Sequence, residues 1–400
     1  MSASRPVLGL VALAALLSAP PASACLWDTD TLWQERQEWP GTLELIVGKF
    51  PRHTDAFYEY RVQDRQSKLR LHAAGEQAMT AEQRAAAYDD LAVALDKLGR
   101  REEALAALDR KQADVGEVGA YETAANRGTI LIHAGRYEEG LKEIDRALEL
   151  NPDAHFGRER IQKLLVEYLL ERKGDAETVP LPLDSDGDER FDRNAAGFAV
   201  FLKERDVSLE EGRKGLEGMM RFGDYRSPIL LEALGDLLSA DGYRDDPPNQ
   251  DVPRQLAARA YLAAARSAPD AAERYREFAA QTLLSQEKLE LGRENVDVVA
   301  DALEREFAET DAWFEKVRED EELWIEASPD PDARFREKYG VAVLRVGDTM
   351  ARPNRVQEQW SAERPVAFDI AVGVGGALTI AAVWGLIVWR RRSPNGWETE

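Results

Sequence analysis

Apolar residues through the middle of the chain recur every three or four positions, the spacing of a buried helix face rather than a strand. Tyr88, Leu91, Ala92 and Leu95 make one stripe, Ala104 and Leu108 a second, and Ile144 and Ala147 a third. Gly99 and Gly135 fall between stripes and predict tight turns. Thr80-Ala81-Glu82-Gln83 predicts a capping box, in which hydroxyl and amide each serve a free backbone N–H at a helix start. Further on, residues 161–173 read as a helix, and residues 198–204 with 209–221 as a pair. Val296, Val299, Leu303 and Phe307 form another stripe, and Trp313, Phe314 and Val317 begin a separate one. Strand-like sequence is confined to residues 341–346. The expected fold class is all-α.

The stripes repeat as pairs. Residues 121–154 combine Gly128 at a close helix contact, Gly135-Arg136-Tyr137 at a turn, Gly140, then Ile144 and Ala147 facing inward, with Pro152 closing the unit. This unit resembles the tetratricopeptide repeat, which has a period of about 34 residues. Residues 85–118 are similar in phase, and an interrupted unit spans about 228–270: Leu234-Gly235, Leu238 and Gly242 form its first half, a paired-proline loop at 247–248 intervenes, and Ala257, Tyr261, Ala264 and Pro269 resume. The resemblance implies an α-solenoid of stacked hairpins whose inner wall, made by the first helix of each pair, binds a peptide or protein. By register it points to Asp89, Val93 and Asp96 in the first unit, with Lys97 at the rim, and to Ala125, Asn126, Thr129 and nearby His133 in the second. Acidic residues at 89 and 96 depart from the basic set with which relatives clamp a carboxylate, so a basic or neutral peptide is expected. Each such residue also has a plainer reading as a solvated polar position.

Composition narrows the chemistry. With 52 Lys+Arg against 74 Asp+Glu the chain carries −22, which argues against nucleic acid. One cysteine, Cys25, excludes an intrachain disulfide, and the four histidines stand in no metal-ligating spacing. No phosphate loop or nucleophile motif is present, so neither enzymatic activity nor a cofactor is expected. Asp184, Asp186 and Asp188 alternate beside Gly187 and offer hard oxygen ligands to calcium, but the spacing is not that of an EF-hand, and an acidic surface loop is the competing reading. The run 319–322 reads as a solvated helix face. Three of nine tryptophans (Trp27, Trp33 and Trp39) crowd the start, followed by Phe57, Tyr58 and Tyr60. Such a segment caps the open end of a stack or serves as a binding hot spot.

The two ends predict placement. Residues 1–24 carry one arginine, an apolar run over 7–17 and Ala22-Ser23-Ala24, the pattern of a cleaved export signal; lipidation at Cys25 is the competing reading. Residues 370–389 are uncharged and span roughly 30 Å as a helix, followed by three arginines that mark the cytoplasmic side. Gly373, Ala377, Ala381 and Gly385 line one face there and would let two copies pair as a homodimer. The expected layout is a leader (1–24), an aromatic-rich capping segment (25–79), a repeat domain (80–325), a juxtamembrane linker (326–365), a transmembrane helix (366–389) and a cytoplasmic tail (390–400). The expected function is a scaffold in the periplasm or at the cell surface that binds a protein partner; the alternative is an extracytoplasmic receptor for a small ligand or calcium.

Overall fold

The stripes fold as helices. The computed structural model describes residues 26–29, 40–152, 157–172, 197–242, 251–283, 289–340 and 344–346, and among these there is no strand. Of the one strand-like stretch, residues 344–346 are described and carry no regular structure. The helices are α1 (Thr42–Val47), α2 (Asp55–Ala73), α3 (Ala81–Lys97), α4 (Arg101–Val115), α5 (Ala120–His133), α6 (Tyr137–Leu150) and α7 (Arg158–Glu171). After them come α8 (Phe198–Lys203), α9 (Leu209–Phe222), α10 (Pro228–Gly242), α11 (Asp251–Ser267), α12 (Ala272–Leu283), α13 (Leu289–Ala327) and α14 (Pro331–Tyr339).

Neighbours in sequence are mostly neighbours in space: α2 lies on α3, α3 on α4, α5 on α6, α10 on α11 and α11 on α12. Local chemistry explains the boundaries. The Thr80 hydroxyl accepts from Gln83 N while the Gln83 side chain accepts from Thr80 N, so the anticipated capping box forms. The Ser208 and Glu211 pair does the same for α9. At Gly135, φ is +73°, a conformation that disfavours any side chain, and there the chain reverses between α5 and α6. Across that hairpin Gly128 and Gly140 face each other. A methyl at 128 would sit 2.7 Å from Ile144 Cδ1, and one at 140 would sit 2.9 Å from the Gly128 carbonyl. The missing side chains let the two backbones approach.

Among the described residues two large apolar cores and two smaller clusters result. Leu91, Leu95, Leu105, Leu108 and Ile130 belong to the N-terminal one, which also takes in Leu26. The larger one joins α1 to residues of α7 through α13. α1 is apolar on almost every side, the pattern of an element enclosed all round, and it contacts α9, α11 and α13.

α13 gives the molecule its closure. Its 39 residues reach roughly 58 Å. It leaves α12, passes α11 and α1, and arrives at α2, so the last helices lie against the first. The two stripes read separately in the sequence belong to this one helix, because no glycine or proline stands between Phe307 and Trp313.

Polar pairs fasten it along its length. Arg259 holds Glu306 through Nε and Nη2, both at 2.9 Å. Lys49 binds Glu309 and donates to the Arg345 carbonyl. Glu321 takes His53 Nδ1 at 2.5 Å, Thr54 N at 2.9 Å and Thr54 Oγ1 at 2.6 Å. Within the acidic run expected to face solvent, Glu321 is therefore an enclosed tie to the start of α2. Beyond it, Asp332 on α14 pairs with Arg61 and Arg65. No helix among the described residues is long and apolar enough to cross a membrane, and residues 366–389 lie outside them.

Candidate functional site

Closure turns the inner wall into the lining of a cavity of about 890 Å³. Of the eight residues picked out by register, Val93, Asp96, Lys97, Thr129 and His133 line it. Asp89, Ala125 and Asn126 do not. Asp89 is buried against Lys111, whose Nζ stands 2.7 and 2.9 Å from its two oxygens. Burial nonetheless pushes the Asp89 carboxyl up, to about 7, against the opposing pull of that ammonium. Asn126 is taken by the chain itself.

The taker is the segment 26–29. Trp27 N donates to Asn126 Oδ1 at 2.5 Å, and Asn126 Nδ2 donates back to Trp27 O at 3.1 Å. Thr29 N and Oγ1 both reach Asp90 Oδ1, at 2.8 and 2.9 Å. Asp28 pairs with Arg61 at 3.1 Å, and the Leu26 side chain is buried in the N-terminal core. The contacts at 27 read backbone rather than side chain, as an amide does when it holds an extended peptide. Leu26 and Asp28 form part of the cavity wall. The inner face of α3 and α5 thus already holds a peptide in cis. Asn126 stood among the expected groove residues, but nothing in its register marked its occupant.

Within the cavity, Asp96 and His133 meet at 2.8 Å. Burial works to raise the Asp96 carboxyl, but the His133 imidazole together with Lys97 and Arg101 outweighs it and holds the group below its ordinary value. Thr129 Oγ1 accepts from Gln162 Nε2 at 3.1 Å. Lys97 reaches across to the end of α9, where its Nζ donates to the carbonyls of Phe222, at 2.7 Å, and Gly223. Burial pushes that ammonium down, against the attraction of Asp96, Asp224 and Asp28.

The remaining wall comes from two loops and α13. Gly48, at φ +81°, ends α1 in a left-handed conformation, and its bare Cα lets the Tyr225 ring lie against it: a methyl would fall 2.4 Å from Tyr225 Cε2. Tyr225 is presented by a short turn in which the Asp224 carboxylate accepts from Arg226 N at 2.9 Å. Arg52, four residues beyond Gly48, donates Nε to the Gly48 carbonyl at 3.0 Å. Its guanidinium lies 3.3 Å from the centroid of Phe314 and 5.0 Å from that of Tyr225. These residues were not marked in the sequence as site residues. Phe314 could be seen only as part of an apolar stripe.

Other expected features receive no support from the described residues. Among them, no group of three or more His, Cys, Asp or Glu side chains is placed to hold a metal ion. Asp184, Asp186 and Asp188 lie outside the described residues, as do Gly373, Ala377, Ala381 and Gly385. The lining offers cations, carboxylates, two imidazoles and aromatic rings around a space of ligand size, an assortment suited to recognition. Comparison with known proteins finds no matching family model, no similar curated protein and no similar solved structure.

Proposed function

We propose that this chain is a binding scaffold of tetratricopeptide-like hairpins, held by residues 366–389 at the outer face of a bacterial membrane, that receives a protein or peptide partner at its interior cavity. The observation that carries the reading is the convergence of Val93, Asp96, Thr129 and His133 on one cavity. These are the inward positions of two successive hairpins, the positions by which stacked hairpins recognise partners. The wall beside them, at Asp90 and Asn126, is occupied by residues 26–29, so the partner meets the cavity and its rim. A second reading, a receptor for a small ligand, is favoured by the cavity's size, since about 890 Å³ lies within the range of small-molecule sites.

Photo-crosslinking in intact cells separates the two. With a benzophenone side chain at Arg226 or Arg101, two cavity-lining positions exposed enough to accept it, the scaffold gives one dominant protein adduct by mass spectrometry. No adduct from either position, together with a small molecule that co-purifies with the wild-type chain, would decide for the receptor.

A further inference from the structure

We propose that the Arg52 and Arg226 corner of the cavity is the seat of an anionic group, carboxylate or phosphate, borne on an aromatic or apolar body. The proposal rests on the cavity being a binding site and names what that site takes. Among the described residues five arginines are buried. Arg61, Arg65 and Arg259 each hold a carboxylate, while Arg158 and Arg221 lie over the Phe222 ring. Carboxylates are in excess over cations, 74 to 52, so a shielded guanidinium has ample opportunity to find one.

Arg52 does not. Its only hydrogen bond among the described residues runs from Nε to the Gly48 carbonyl, which leaves both Nη groups without an acceptor. The ring contacts with Phe314 and Tyr225 fix the plane of the guanidinium but supply no counter-charge. Arg226 stacks on the same tyrosine, 5.5 Å from its centroid, and likewise pairs with no carboxylate among the described residues. Two like charges thus share one ring. Burial and the charge of Arg226 both disfavour the ionised form of Arg52, though Tyr225 and Asp311 draw the other way.

The cavity's carboxylates do not neutralise this corner. Asp28 is engaged by Arg61 and Asp96 by His133. Asp55, Asp224, Asp311 and Glu322 are exposed, where solvent screens them. A planar guanidinium, stacked and with two free N–H edges, is the arrangement that grips a carboxylate or phosphate by paired hydrogen bonds. Phe314, Tyr225, Phe50 and Tyr58 line the adjoining space and suit a flat apolar body.

The test uses the full chain in detergent micelles and saturation-transfer NMR, with signal from empty micelles subtracted. Three probes are compared: N-acetyltryptophan, phenyl phosphate and the uncharged N-acetyltryptophanamide. At least one anion binds about tenfold or more tighter than the amide, and Arg52→Gln abolishes that preference while leaving the amide's affinity unchanged. Which anion wins separates a carboxylate from a phosphate. Should Arg52→Gln not fold, Arg226→Gln, at an exposed position, narrows the same preference at least about threefold. Equal binding of anions and amide, or a preference that survives both substitutions, overturns the anion site and leaves the cavity reading standing. If the wild-type chain binds none of the three, the anion site falls, and the crosslinking alone decides the scaffold.

Discussion

At Gly128 the side chain matters by its absence. The α5–α6 hairpin closes because nothing stands between Gly128 and Gly140, so Gly128→Ala drives a methyl into Ile144 and toward the Gly140 carbonyl at 3.1 Å. A loss of about 1–3 kcal/mol is expected in urea unfolding, the cost of overpacking. A variant as stable as the wild type would show that the helices part freely there. Asp96 gives a pH-dependent test. Its folded pKa lies below the ordinary 3.8, so its contribution to stability is complete above that value and is lost as pH falls through the folded pKa. Thermal melts of wild type and Asp96→Asn therefore differ most near neutrality and converge below about pH 4. A gap that stayed constant down to pH 2 would contradict the His133 pairing.

Among the elements, α13 departs most from its sequence pattern. Its apolar stripe runs through Val296, Val299 and Leu303 and resumes at Val317, while the enclosed positions between them are Glu306 and Thr310. Hydrophobic periodicity breaks there because polar groups take over the buried face. Arg259 answers Glu306, and Thr310 Oγ1 donates to the Glu306 carbonyl. The same substitution of paired polar groups for apolar ones recurs at Glu321. Glu321→Ala removes one partner of the His53 ring and the acceptor of both the Thr54 amide and the Thr54 hydroxyl, all enclosed, and is expected to cost about 3 kcal/mol. Glu321→Gln, which keeps an acceptor for Thr54, loses less. Hydrogen exchange checks the location: the amides around Thr54 and the last turns of α13 lose protection together. Loss at one without the other would refute the tie between them.

At the scale of the whole molecule, local reading and assembled structure divide along a physical line. Periodicity, turn glycines and the Thr80–Gln83 cap were enough to place α3 to α6 and both halves of the interrupted pair, α10 and α11, because their stabilising contacts lie within one or two turns or across one hairpin. The register of the resembling repeat, rather than periodicity, pointed to Val93, Asp96, Thr129 and His133, which line the cavity. What neither could supply was the occupant of Asn126, which lies 99 residues away, or the partner of Glu321, which lies 268 away. Nor could they show Arg52 between two rings drawn from 225 and 314. A polar residue in a sequence carries no mark of whether water or a distant charge will meet it, since that depends on which elements close on one another. The helices and their inward faces were thus set by short-range sequence, while the cavity and the charges it leaves unanswered were decided only when α13 brought the two ends together.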